Sequence, residues 1–268
     1  MHEIVATLAD SRLDDYRDIS DAVLRRDRGL FIAEGRLVVR RLLAGTRFPV
    51  RSVMVTQAAH ASLIDLLEPR PDLPVYEVTQ ETMNGVTGFN MHRGCLAIGE
   101  RASSIPLETL IPSARRIVAI EHVGNADNVG SIFRNAAAFG VDGVLIDGPT
   151  VDPLYRKALR TSMGAALQVP FARMQDWQEA LRLCRAAGGR VVALTPDVQM
   201  PPIAEVAASL GASPTVLVVG HEGSGLSAET RAACDLHARI PMARGTDSLN
   251  VATAAAIALY ELDRARGR

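Results

Sequence analysis

The fold class this sequence predicts is α/β, built in two parts, and three observations carry that reading. Strand-length apolar stretches alternate with helical ones from residue 30 onward, which favours helices packed on sheets. In the second half, stretches such as 117–121 and 215–220 are apolar without polar alternation, implying a parallel sheet covered on both faces. Between the halves, 101–116 (RASSIPLETLIPSARR) has two prolines, several serines and no clear period, and reads as a linker. The boundary is placed near 105, giving domains at 1–105 and 106–268, each long enough for its own core.

The first domain is expected to run as helix 16–26, strand 30–33, helix 35–44, strand 51–56, helix 58–67, strand 75–78, a turn or short helix after Gln80, and strand 94–99. The second begins with strand 117–121 and helix 128–139, closed by Gly140 at the position where left-handed backbone favours glycine. Strand 143–147, a helix near 154–160, strand 170–174, helix 177–187, strand 190–195, helix 203–210, strand 215–220 and helix 227–234 follow. The stretch 238–242 reads as the end of a buried strand stopped by Pro241, which offers no ladder donor. Residues 243–248 form a polar loop with Gly245 for backbone freedom. Ser248 is a candidate N-cap for a helix from Leu249 whose face is small: Ala252, Ala254, Ala255, Ala256 and Ala258.

Composition excludes more than it selects. A 48% hydrophobic, 22% charged chain is an ordinary globular one, and a net charge of −1 advertises no nucleic acid globally. Locally, eight arginines between Arg25 and Arg51 face only Asp27 and Glu34, a net +6 that can hold phosphates or form a solvated helix face. Cys95, Cys184 and Cys234 show no metal-ligand spacing, so a reducing cytoplasm and no structural zinc are expected. The N-terminus lacks a signal-peptide pattern, and no apolar run reaches the roughly 18 residues of a membrane span.

The chemistry-bearing segments lie at turns of the second domain. HVGNADNVGSIFRNAAAFG follows its first strand, TVLVVGHEGSGLS spans a later one, and IPMARGTDSLNVATAAA closes the set. The glycines after 215–220 lack both the Walker lysine and the GxGxxG order, so neither phosphate-loop nor dinucleotide fingerprint applies. By spacing alone, the last segment fits a strand–loop–helix corner of any α/β protein.

Together these segments resemble, in order, the three motifs of the SpoU/TrmH family of RNA 2′-O-ribose methyltransferases in the SPOUT superfamily. The matches are N-x-G-x-x-x-R-x-A at Asn128, Gly130, Arg134 and Ala136; G-x-E-G-x-G-L at Gly220, Glu222, Gly223, Gly225 and Leu226; and the SLN of Ser248, Leu249 and Asn250. A connecting S-x-G-A…P segment matches at Ser162, Gly164, Ala165 and Pro170. Two departures stand out: Ala126-Asp127 where members usually carry Asp-Pro, and His221 where many have Asn. The first domain, with FIAEGRLVVRRLL then RSVMVT, resembles the L30e-like substrate-binding domain of many members.

The resemblance implies an L30e-like α/β sandwich followed by a SPOUT α/β domain whose parallel sheet is threaded into a trefoil knot. It implies S-adenosylmethionine held around Thr195, Gly220, Ile240 and Leu249, and catalysis by Arg134 with Asn128, Glu222, Ser248 and Asn250. Arg134 is expected at the end of the cofactor pocket. No metal is expected in the reaction, because the positive charge sits on the sulfonium. Arg36, Arg40 and Arg41 are the expected RNA contacts. The expected substrate is RNA, 23S ribosomal RNA ahead of tRNA, and the expected assembly a homodimer through the C-terminal domain. Two other classes compete: a nucleotide-dependent Rossmann oxidoreductase, disfavoured by the missing glycine fingerprint, and a non-catalytic RNA-binding relative, disfavoured by the retained Arg134, Glu222 and Asn250.

Overall fold

The computed structural model describes residues 2–17, 28–88, 90–91, 93–243, 245 and 248–267. Most of the expected helix at 16–26 falls outside the described residues, as do Arg25 and Arg26 of the basic cluster and Asp247 of the last loop. The chain forms two compact units. The first joins Met1–Ser103 with Leu154–Gln168, the second Ser104–Pro153 with Val169–Arg268. The first cut thus falls two residues before 105, but one stretch from the middle of the chain returns to the first unit.

In the first unit, strands β1 (His2–Ile4), β2 (Leu30–Glu34), β3 (Val50–Val55), β4 (Val75–Glu77) and β5 (Cys95–Glu100) form one sheet in the order β1-β4-β3-β5-β2. β4 runs parallel to β1 and β3, while β5 is antiparallel to β3 and β2. Helices α1 (Arg36–Ala44), α2 (Gln57–Leu67) and α3 (Gln80–Thr87) connect the strands. α1 buries Val38, Val39, Leu42 and Leu43, four aliphatic chains at helical spacing, each contributing roughly 1.5–3 kcal/mol of burial. The core gathers Leu13, Tyr16, Ile32, Met54, Met83, Leu96 and Ile98. Within it the Tyr16 hydroxyl and Ser52 Oγ share a 2.7 Å hydrogen bond, so neither buried oxygen is orphaned. β1 escaped the sequence reading because three residues set no period.

The returning stretch carries helix α6 (Arg156–Thr161) and a 3-10 turn at Ala165–Leu167. Ala158, Leu159 and Ala165 to Leu167 are buried. Arg41 donates to the Met163 carbonyl at 2.8 Å. Gly164 sits at φ +84, a left-handed backbone that favours glycine, and a Cβ there would lie 3.1 Å from the Arg41 Cδ and 3.4 Å from the Val38 Cα. Arg156 and Arg160 stand 3.7 and 3.5 Å from the carboxylate of Glu34, which is buried in β2.

The second unit opens with helix α4 (Leu107–Ser113), inside the expected linker. Its Leu110 and Ile111 are buried, and Pro112 stands in its last turn. The strands are β6 (Arg116–Ile120), β7 (Gly143–Ile146), β8 (Phe171–Arg173), β9 (Arg190–Leu194), β10 (Thr215–Val219) and β11 (Leu236–Ala238), ordered β11-β9-β10-β6-β7-β8. Every pairing is parallel, as the unalternating apolar strands demand. All residues of β6, β7 and β10 are buried. Helices α5 (Ala126–Ala138), α7 (Trp177–Ala186), α8 (Ile203–Leu210), α9 (Ala228–Ala233) and α10 (Val251–Arg264) complete the unit. Asn135 Nδ2 of α5 donates to the Ala252 carbonyl of α10 at 2.9 Å, and Arg116 of β6 meets Asp263 of α10 at 2.5 Å. From β6 the chain moves to β7 and β8 on one side and later to β10 and β9 on the other. The β6–β10 junction is therefore the place where strand order reverses, the usual neighbourhood of a ligand in parallel α/β sheets.

Candidate functional site

The loops that leave β9, β10 and β11 surround a cavity of ≈ 470 Å³, within the usual range for small-molecule sites. Its lining mixes apolar residues (Leu194, Val219, Ile240, Met242, Leu249, Val251) with Thr195, Asp197, Glu222 and Ser248. All four residues assigned to cofactor binding, Thr195, Gly220, Ile240 and Leu249, line it.

Local sequence explains the opening. Thr195 N–H donates to the Ala238 carbonyl at 2.9 Å, extending the β9–β11 ladder by one step before Pro196 breaks it. Arg239 N–H donates to the Pro201 carbonyl and Ile203 N–H to the Arg239 carbonyl, so the strand leading to the last loop runs beside the loop after β9. Gly220 allows the β10 loop to fold back: a Cβ there would lie 2.6 Å from the Gly225 carbonyl carbon and 2.7 Å from Leu226 N. Backbone occupies that space, so no larger residue fits without moving the loop. His221, which the sequence left without a role, holds the turn: its Nδ1 accepts from Gly223 N–H at 2.8 Å and Ser224 N–H at 3.1 Å.

Residues from all three motifs are linked through Asn128. Asn128 Nδ2 donates to Glu222 Oε1 at 2.8 Å, and Asn250 Nδ2 donates to Asn128 Oδ1 at 2.8 Å. The Asn125 N–H adds a 3.3 Å contact to the same Oε1. Burial pushes the Glu222 carboxyl up, but the Asn128 amide and backbone donors outweigh it, and the net shift is downward from 4.5. Glu222 is therefore ionised at neutral pH, and Asn128 is turned with its oxygen toward Asn250.

One helix start and one capping assignment change. α5 begins at Ala126, not 128, and its N-cap is Asn125, whose side chain accepts from Asp127 N–H. Asn128 is thereby inside the first turn and buried, its amide free for Glu222. α10 begins at Val251, and Asn250 is the cap, accepting from Ala252 N–H at 2.9 Å and Thr253 N–H at 3.3 Å. Ser248 instead lines the cavity. Asparagine caps as well as serine, so the SLN run offered two equivalent candidates.

Arg134 is exposed on α5 and is not among the residues lining the cavity. Six residues beyond Asn128 turn the helix by about 240°, which puts the two side chains on different faces. The pocket-end location expected for it is thus not what one chain displays. Among the arginines of the first unit, Arg36 is exposed. Arg40 is clamped by both carboxylate oxygens of Asp65, at 2.8 and 2.6 Å, and by the Ser62 carbonyl, while Arg41 bonds Met163.

Sequence reasoning missed the groups that brace the neighbouring strand ends. Glu121 accepts from Ser227 N–H and Oγ at 2.9 and 2.8 Å and from Thr230 Oγ1 at 2.5 Å. Asp147 accepts from His122 N–H, Thr150 N–H and Thr150 Oγ1, and stands 2.6 Å from His122 Nδ1. His122 holds this place at φ +56. A single acid ending an apolar strand, as in VAIE and VLID, was the available signal.

The profile of the SpoU rRNA Methylase family matches residues 115–260. An uncharacterized tRNA/rRNA methyltransferase of Mycobacterium bovis is 42% identical over 259 residues, covering 95% of this chain and 89% of its own. Among solved structures, an AdoMet-bound rRNA methyltransferase from Sinorhizobium meliloti superposes with a TM-score of 0.83 at 28% identity, covering 98% of each chain. An RNA 2′-O ribose methyltransferase does so with a TM-score of 0.76 at 25% identity, covering 98% of this chain and 99% of that one.

Proposed function

The chain belongs to the SpoU rRNA Methylase family and is an RNA methyltransferase; from that premise we propose that it uses S-adenosylmethionine to methylate a ribose 2′-hydroxyl, in ribosomal RNA before tRNA. The observation that carries the proposal is the Asn250–Asn128–Glu222 hydrogen-bond chain. It joins residues of three distant segments at a carboxylate that also lines the cavity.

The cavity fits the cofactor. Its apolar residues suit a flat base, and Asp197 and Glu222 suit hydroxyl and ammonium donors. The fold-back at Gly220 leaves loop backbone facing the space. When bound, the cofactor supplies a methyl group already activated on a sulfonium, so the chain's work is binding, orientation and exclusion of water. Leu249 and Ile240 close the apolar side, and Ser248 offers a hydroxyl at the rim. Glu222 and Asn250 fix the Asn128 amide. Arginine is a poor base on its own, so Arg134 either orients the ribose hydroxyl or acts on it together with a neighbouring phosphate of the RNA. The exposed Tyr260 of α10 lies edge-on to Phe139 of α5, an aromatic patch suited to pairing second units in a homodimer that could bring Arg134 to a partner's cavity.

Titration should give micromolar binding of S-adenosylmethionine or its demethylated product, about −8 kcal/mol. Incubation with total RNA, digestion to nucleosides and mass spectrometry should then find new 2′-O-methylated nucleosides. Methyl groups found only on bases would overturn the ribose assignment. Absent cofactor binding would overturn the site.

A further inference from the structure

A second cluster of chemically able side chains lies in the first unit, apart from every residue discussed above. His2 of β1, His60 of α2 and Glu77 of β4 each present a donor atom, and the three donors lie within 4.8 Å of one another. His2 Nε2 is 3.0 Å and His60 Nδ1 3.8 Å from Glu77 Oε2. Donors about 2.0–2.2 Å from a tetrahedral metal stand about 3.3–3.5 Å apart, so these two spacings bracket what an ion would impose. The imidazole rings are stacked at 4.2 Å and nearly parallel, 9° apart.

We propose that His2, His60 and Glu77 form a binding site for a divalent transition metal, zinc above all, that clips the N-terminal strand to the sheet. Two imidazoles and one carboxylate are a borderline-soft donor set, suited to Zn²⁺, Co²⁺ or Ni²⁺ rather than Mg²⁺ or Ca²⁺. Zinc has no geometric demand from its d electrons and accepts a site of three protein ligands with water in the fourth position. The required movement is small: the rings splay from their parallel stack, which the half-exposed His2 can do at the sheet edge. The cysteines do not compete. Cys95 and Cys184 are buried, and burial pushes both thiols up to about 12, so neither is a thiolate at neutral pH.

The ligands come from three elements separated by up to 75 residues. β1 is only three residues long and, among the described residues, pairs on one side alone, with β4. An edge strand this short has few ladder bonds of its own, and a metal ligated from β1, α2 and β4 would hold it in register.

The test uses the full chain without a histidine tag, stripped with chelator. Isothermal titration with Zn²⁺ should show one site per chain, and Co²⁺ should give visible d–d absorption. Zn²⁺ should raise the melting temperature, and chelator should reverse the rise. His60→Ala and Glu77→Gln should each weaken binding by at least the roughly 10–100-fold that loss of even an outer-shell partner costs. Each should remove the melting shift while leaving the metal-free circular dichroism unchanged. His2→Ala, at an exposed position, guards against a variant that fails to fold. No stoichiometric binding would reduce the cluster to an ordinary ion pair and overturn the proposal. So would binding that survives all three substitutions.

Discussion

The two halves of the second unit's sheet end at the same edge, yet they are finished in different ways. On one side, β6 and β7 run into buried carboxylates, Glu121 and Asp147, and each carboxylate collects hydroxyl and N–H donors from neighbouring segments. On the β9–β10–β11 side no such acid ends a strand. There the loops are held by backbone contacts and by the compact turn around His221, and a cavity remains between them. Side-chain polar groups turned on the chain's own backbone make a rigid support. Backbone polar groups left facing a space make a place for a ligand. The Asn128–Glu222 bond crosses from one half to the other and sets the position of the first against the second.

The predictions separate these halves, beginning with the largest effect. Arg134→Ala should cut methyl transfer about 10²-fold at saturating cofactor, the usual scale for a lost positioning or acid–base group, with melting temperature and cofactor affinity almost unchanged. Near wild-type turnover would remove Arg134 from the reaction. Glu121→Ala strikes the carboxylate-braced half. It strands the buried hydroxyl of Thr230 and the partly buried donors of Ser227 and should lower stability by about 2–3 kcal/mol in denaturant titrations, with cofactor affinity kept in the folded fraction.

Gly220→Ala strikes the backbone-held half and should do the reverse. Its Cβ must displace loop backbone, so cofactor affinity should fall about tenfold, near 1.4 kcal/mol, with a smaller change in melting. Equal loss of affinity in both variants would mean that the halves do not work separately. The smallest effect is expected at the crossing. Asn250→Ala removes a helix cap, about 1 kcal/mol, and frees Asn128 to turn. Glu222 adds a pH signature. Its folded value lies below 4.5, so its contribution is complete above that pH and fades as pH falls through the lowered value. Glu222→Gln should flatten the acid limb of a stability profile there.

Reading the sequence located nearly every described strand and helix of the second unit within two or three residues, because buried parallel strands and amphipathic helices have distinct periods. The cofactor-binding candidates converged on one cavity because motif residues sit at strand ends, where topology collects them. What escaped depended on contacts between distant residues. Asn250 replaced Ser248 as the cap of α10, since neighbouring polar residues cap equally well on paper. The clamping of Arg40 by Asp65 depends on α1 lying beside α2. Helix α4 was hidden by prolines that sit at its cap and in its last turn. The placement of 154–168 could not be read at all, because nothing in its composition says which core its alanines and leucines enter.

That placement bears on how the protein can be cut and recombined. The chain passes between the two units three times, near 103, 153 and 168, so they are not beads on a single string. A truncation at the first crossing would deprive Ala158, Leu159 and Leu167 of the unit that buries them and leave apolar surface on what remains. A graft of a foreign first unit would have to bring its own version of 154–168. Exchange of first units in this architecture is thus an exchange of two segments together, and chimeras joined at one seam should be prone to aggregate.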